Sequence, residues 1–159
     1  MVKQKTTEKF YIFFDVDGVL NCKADWASRF TVNSTCIRNF AVLKQELQKM
    51  YIPVFIITST WRAGKGQNGE NNAMQYNMLL KKLSEYGIEI FGSTPVSDKG
   101  RQREIEYYRK RFCENSEHYL VLDDDISLFE RPEEMKLYIT DYQMGLTEKD
   151  VKKIARIVR

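Results

Sequence analysis

Cysteine is scarce in this chain. Cys22, Cys36 and Cys113 stand among 159 residues with no CxxC spacing. An odd number so arranged excludes a disulfide framework and gives no zinc site, leaving buried or free thiols. Histidine is scarcer still: His118, alone before an apolar stretch, reads as structural or exposed. No apolar run approaches the roughly 20 residues that a bilayer span requires. The longest are Tyr11–Phe14 and Pro53–Ile57, so no membrane partner is expected. The N-terminal MVKQKTTEKF is polar and lacks the apolar segment that secretion requires, which makes a cytoplasmic location the expectation. Repeats, low-complexity stretches and linkers are absent too. So is an excess of one charge: 25 Lys+Arg against 22 Asp+Glu leave +3, too little to imply a nucleic-acid or membrane partner by itself.

What the chain does have is core material. With 43% hydrophobic and 13% aromatic residues it reads as one globular domain over 1–159. Phe10–Phe14 is a short apolar run ending abruptly in Asp15-Val16-Asp17-Gly18, the pattern of a buried strand and a turn. Asn33 or Ser34 can cap a helix with Cys36, Phe40, Leu43, Leu47 and Met50 on one face. Pro53–Ile57 is a second strand, and Gly64 to Asn72 reads as a loop. A helix follows with Tyr76, Leu79, Leu80 and Leu83 inward and Gly87 as its stop; Met74 and Met78 read as packing residues. Ile88–Phe91 is a third strand. A charged helix from Gly100 to Phe112 turns Ile105, Tyr108 and Phe112 inward, Tyr119–Leu122 and Leu137–Ile139 are two more strands, and Thr147-x-x-Asp150 is a capping box that opens a last helix. Strands alternating with helices imply right-handed crossovers: an α/β fold, a three-layer α/β/α sandwich with a mostly parallel, Rossmann-like sheet. In such sheets ligands bind beyond the carboxyl ends of the strands.

Three of the strands end in polar clusters at that edge: Asp15 and Asp17, then Thr58 and Ser59, then Asp123 to Asp125. Five carboxylates converging on one crevice repel one another unless a cation sits among them, and a donor set of oxygens alone favours Mg²⁺. A carboxylate can then serve as a nucleophile toward phosphorus. Phosphoryl transfer also needs hydroxyl and N–H donors, a cation and an acid for the leaving group. Thr58 and Ser59 offer the first, Lys99 and Arg101 the second, Asp17 the third. Arg101 lies four residues before Ile105 and so shares the inward side of its helix.

The string Asp15-Val16-Asp17-Gly18-Val19-Leu20-Asn21 after an apolar strand resembles the first motif of the haloacid dehalogenase (HAD) superfamily of aspartyl-phosphate phosphatases. Ile56–Thr60 resembles its second motif, a basic residue near Lys99–Arg101 its third, and Leu122–Asp125 its fourth, in the family's order. The strings ITSTWR, RQREIEYY and GLTEKD further resemble the small HAD domain of bacterial and phage Swiss army knife RNA-repair proteins, over almost the whole chain. The resemblance implies Asp15 as nucleophile and Mg²⁺ ligand, and Asp17 as general acid and base with its backbone carbonyl on the metal. It implies Thr58 as a phosphate ligand, Lys99 or Arg101 as the neutralising cation, and Asp123 as a Mg²⁺ ligand with Asp124 close behind. Lys99 has the family's usual residue type; Arg101 fits the RNA-repair string.

Each reading has a plainer counterpart. Asp-x-Asp-Gly is also a common turn. Trp61 and Arg62 either pack and cap the second crossover or touch substrate. Residues 99–111 hold six Lys+Arg and two Glu, either a solvated helix face or a site for a phosphate-rich macromolecule. The HAD family inserts cap domains after the first motif or between the second and third. Here only Cys22 to about Thr31 is free in the first place, and Ala63 to Asp98 is already used in the second. An uncapped, open site is expected, able to admit a large phosphorylated substrate such as a polynucleotide end. The alternatives are a phosphoprotein or small metabolite as substrate, or a phosphate-accepting signalling module. An oligomer is possible but not indicated.

Overall fold

The computed structural model describes residues 7–27, 31–64 and 70–159. Its frame is a five-stranded, all-parallel sheet. The strands are β1 (Lys9–Phe14), β2 (Ile52–Ile57), β3 (Ile90–Ser93), β4 (Tyr119–Asp123) and β5 (Leu137–Ile139), in the order β3-β2-β1-β4-β5. Four helices connect or flank them: α1 (Ser34–Gln48), α2 (Glu70–Glu85), α3 (Arg101–Phe112) and α4 (Glu148–Ile157).

Side chains alternate across a strand, and that alternation sorts the core into two halves. Phe10, Ile12 and Phe14 of β1 pack with Phe55 and Ile57 of β2, Leu120 and Leu122 of β4, and the apolar faces of α1, α2 and α4. Phe13, Ile56 and Val121 face the opposite way, onto Ile105 and Tyr108 of α3. The sandwich therefore has three layers, as its alternating strands and helices imply. Phe14, Phe40 and Phe55 form an aromatic triangle with centroids 5.0 to 6.5 Å apart, a geometry that adds about 0.5–1.5 kcal/mol per pair beyond area burial.

Caps set the helix ends. Asn33 Oδ1 accepts from the N–H groups of Thr35 and Cys36 and opens α1. Thr147 and Asp150 form the reciprocal capping box of α4.

The structure corrects several boundaries. β3 begins at Ile90 rather than Ile88, because Ile88 N–H still bonds the Leu83 carbonyl at the exit of α2 and strand pairing starts only at Ile90 opposite Phe55. α2 already includes residues 70–72, where an Asn-rich loop was expected. Asn is only a mild helix breaker once downstream turns are packed; residues 65–69 of that loop lie outside the described residues. α1 stops at Gln48, two residues short of Met50. Phe112, expected inward, is 57% exposed at the last position of α3, its ring lying against Tyr108 at 4.8 Å. Met74 and Met78 are exposed rather than packed.

The sheet order reverses at β1. The chain moves outward through β2 and β3, crosses beneath the sheet by α3 to β4 on the other side of β1, and continues to β5. The crevice of such a sheet opens at that switch, beyond the carboxyl ends of β1 and β4. Between β1 and α1 the described chain holds a 3-10 turn at Lys23–Ala27. Between β2 and β3 it holds a 3-10 turn at Thr60–Gly64 and then α2. No cap domain is evident at either place among the described residues. No helix among them is long and apolar enough to cross a membrane.

Candidate active site

Register brings the chemistry together. Phe14 pairs with Ile57 on one side and Leu122 on the other, so Asp15, Thr58 and Asp123 are the next residues of three adjacent strands. Backbone bonds hold that level: Asp15 N–H donates to the Leu122 carbonyl and Thr58 N–H to the Phe14 carbonyl, both at 2.9 Å. Asp15, Thr58 and Asp123 are all buried.

Asp15, Asp123 and half-buried Asp124 each offer a carboxylate oxygen within 4.8 Å of the others. Burial, then the Asp123 charge, pushes the Asp15 carboxyl up to about 7, while the Arg101 guanidinium opposes the rise. Burial and Asp123 likewise raise Asp124 to about 6. Arg101 Nη1 lies 2.7 Å from Asp123 Oδ2 and 3.3 Å from Asp15 Oδ2. One guanidinium against three carboxyl groups leaves an acidic excess, and its donors are all oxygens. That set fits a hard divalent cation such as Mg²⁺.

Beside the acids, Thr58 Oγ1 is buried and has no hydrogen-bond partner among the described residues. An orphaned buried hydroxyl costs about 1–3 kcal/mol, a cost that a bound oxyanion would relieve. Ser59 Oγ accepts from Trp61 N–H at 3.2 Å and starts the 3-10 turn. The backbone here is fixed from behind by Arg62. Its guanidinium donates to the carbonyls of Thr58, Thr94 and Pro95 and pairs with Glu104 Oε2 at 3.1 Å, both side chains being buried.

Asp17 is held separately. Trp61 Nε1 lies 3.2 Å from each of its carboxylate oxygens, and Asn21 Nδ2 donates to Oδ1 at 2.9 Å. Asn21 Oδ1 in turn accepts from Gly18 N–H. Gly18 has φ +79°, and a Cβ there would fall 2.4 Å from Asp124 Cγ, so only glycine lets the first loop lie against the acidic segment. Thr140, just past β5, donates its hydroxyl to the Gly18 carbonyl at 2.7 Å.

The structure thus gathers three of the five expected carboxylates. Asp17 turns to Trp61 and Asn21, and Asp125 turns away to cap a short 3-10 helix through Ser127 N–H. Of the two candidate cations, Arg101 reaches Asp15 and Asp123, whereas Lys99 is exposed and its N–H bonds Ser97 Oγ. The charged helix is not a uniform basic stripe. Arg101 is spent on the acids, and Arg109 lies 3.7 Å over the Tyr119 ring and donates to the Ser116 carbonyl. His118 sits at the opposite sheet edge beside Tyr51 and Glu8.

Sequence reasoning missed Glu104, counted only as one of two acids in the charged helix, along with the positioning roles of Asn21 and Thr140. The signal was thin. Glu104 lies one residue before Ile105, on the same turn as Arg101, but an acid among six bases looks solvated until Arg62 is seen opposite it.

No curated protein sequence matches the chain. A family model described as the HAD domain in Swiss Army Knife RNA repair proteins matches residues 11–151, from the middle of β1 into α4, so that every strand-end residue above falls within the match. Sheet order, acidic strand ends and the extent of that match agree, and the chain belongs to this family of HAD domains.

Proposed function

We propose that the protein is a Mg²⁺-dependent phosphatase acting through an aspartyl-phosphate on Asp15, in the cytoplasm, on the terminal phosphate of a polynucleotide. Membership of the HAD family implies a phosphatase-type hydrolase. The observation that carries the reading is the buried acidic trio at one level of the sheet edge, with Arg101 in contact with two of its members.

Asp15, Asp123 and Asp124, with the Asp17 carbonyl, would hold Mg²⁺, whose charge would offset that of the phosphoryl oxygens. Arg101 favours the ionised Asp15 that attack requires and adds a second positive charge for the phosphoryl group. Thr58 Oγ1 and the Ser59 hydroxyl would donate to its oxygens. An Asp15 carboxylate oxygen attacks phosphorus as the bond to the leaving oxygen breaks, and the Asp17 carboxyl, placed by Trp61 and Asn21, gives that oxygen its proton. Asp17, now a carboxylate, then takes a proton from water, whose oxygen attacks the same phosphorus and frees phosphate and Asp15. The sum is phosphomonoester plus water giving alcohol plus phosphate.

That no cap is evident among the described residues, and the RNA-repair setting of the family, favour a large, nucleic-acid substrate over a phosphoprotein or small metabolite. The test is a panel of 5′- and 3′-phosphorylated oligonucleotides, phosphopeptides, nucleotides and sugar phosphates with Mg²⁺, and with Asp15→Asn as control. The expected result is phosphate release, fastest from an oligonucleotide end and lost in the variant. No hydrolysis of any member, or full activity in Asp15→Asn, would overturn the proposal.

A further inference from the structure

Two loops at the carboxyl edge of the sheet, the one after β1 and the one after β5, carry an exposed aromatic pair that the chemistry above does not use. Trp26 and Tyr142 stack with centroids 5.8 Å apart and planes within 22° of parallel. They are 45% and 39% exposed. At that exposure the rings keep face area that a stacking ligand could cover.

The pair is firmly built. Lys23 N–H donates to the Tyr142 carbonyl and Leu146 N–H to the Val19 carbonyl, so the loops are laced through their backbones. Gly145, at φ +68°, lets the second loop press onto the first; a Cβ there would lie 2.6 Å from Cys36 Sγ and 2.8 Å from the Asn21 carbonyl. The pair is also joined to the reacting groups. Trp26 Nε1 donates to Asn21 Oδ1 at 2.9 Å, and Asn21 Nδ2 donates to Asp17 Oδ1. The indole is therefore two hydrogen bonds from the proposed acid.

One cation stands at the pair, with the exposed Asp141 carboxylate immediately before Tyr142 in sequence. Lys23 is exposed, with Nζ 5.9 Å from the Tyr142 ring centre. The carboxylate beside it, Asp25, is turned inward onto the N–H and thiol of Cys22.

We infer that Trp26, backed by Tyr142, is the stacking platform for the nucleobase of the nucleotide whose phosphate enters the site, with Lys23 meeting the sugar-phosphate strand beyond it. This rests on the phosphatase reading and deepens it, because it makes the substrate a nucleotide end rather than any phosphomonoester. Stacking of a base on an aromatic side chain is sequence-tolerant, since every base has a π-face, and is commonly worth tenfold or more in affinity.

The test is calorimetric titration of Asp15→Asn protein with Mg²⁺, using 5′- and 3′-phosphorylated dinucleotides and the matching abasic sugar phosphates. The quantity read is the ratio of affinities, base-bearing over abasic. The ratio should be about tenfold or more for at least one end. It should fall to within about twofold of unity in Trp26→Leu and in Tyr142→Leu, and stay high in Trp26→Phe, which keeps a ring but loses the bond to Asn21. A loop that merely loosened would weaken both ligand classes and leave the ratio standing. Ratios near one for both ends, or a ratio unchanged by Trp26→Leu, overturn the platform while leaving the phosphatase reading intact. Failure of every phosphate ligand to bind overturns both.

Discussion

At Asp15, burial and the neighbouring Asp123 charge pull against the Arg101 guanidinium. The Asp15 carboxyl is pushed up to about 7, and that of Asp124 to about 6, from an ordinary value of 3.8. The unfolded chain releases these protons near 3.8 while the folded chain keeps them. Between those limits the cation-free fold binds more protons, and its stability falls as pH rises through the window. A divalent cation competes with the same protons. The rise in Tm on adding Mg²⁺ should therefore be larger at about pH 8 than at about pH 5, and smaller at both in Asp15→Asn; a thermal-shift series measures it.

The two candidate cations separate by placement. Arg101→Ala should lower kcat/KM by about 10²–10³, the usual cost of removing a group that stabilises transition-state charge, whereas Lys99→Ala, in the exposed segment before α3, should stay within about twofold of the parent. Behind Thr58, Glu104→Gln leaves the buried Arg62 guanidinium without its countercharge. Breaking such a pair costs about 3–5 kcal/mol, to be read as a lowered urea midpoint.

Strands and helices announced themselves unevenly. β1 and β2 were legible because continuous apolar runs stop abruptly at polar residues, and a buried parallel strand has little other signature. The caps were legible for a similar reason: Asn33 and the Thr147–Asp150 box act on N–H groups two or three residues away, within the reach of local sequence. Thr147→Ala should cost about 1 kcal/mol in urea unfolding, the ordinary value of a lost N-cap, without change in kcat. β3 was misplaced by two residues because Ile88 is apolar in either role and only the pairing of Ile90 with Phe55 decides where the strand begins. Phe112 satisfied the helical spacing of Ile105 and Tyr108 yet stands exposed at the end of α3. Periodicity gives a direction around the axis, not whether a sheet lies beneath it.

Across the whole molecule, the site is an outcome of topology. Asp15, Thr58 and Asp123 come from strands far apart in sequence, and they meet because β1 sits between β2 and β4 in parallel register. That convergence could be anticipated from the rule that parallel sheets bind at their carboxyl edge, whereas its composition could not. Five carboxylates were expected and three assemble, because side-chain partners such as Trp61 for Asp17 and Ser127 for Asp125 depend on loop geometry that no spacing encodes. The near balance of charge, +3 over the chain, hides an acidic crevice with Arg101 at the head of the basic helix. The central claim is that phosphate passes through Asp15. Rapid acid quench of the Mg²⁺-loaded protein during turnover of a phosphorylated oligonucleotide, followed by mass analysis of the peptide spanning Asp15, tests it most directly. The account predicts a gain of one phosphoryl group on Asp15 that appears before product accumulates and is absent from Asp15→Asn. Turnover with no phosphoryl group on that peptide would contradict it.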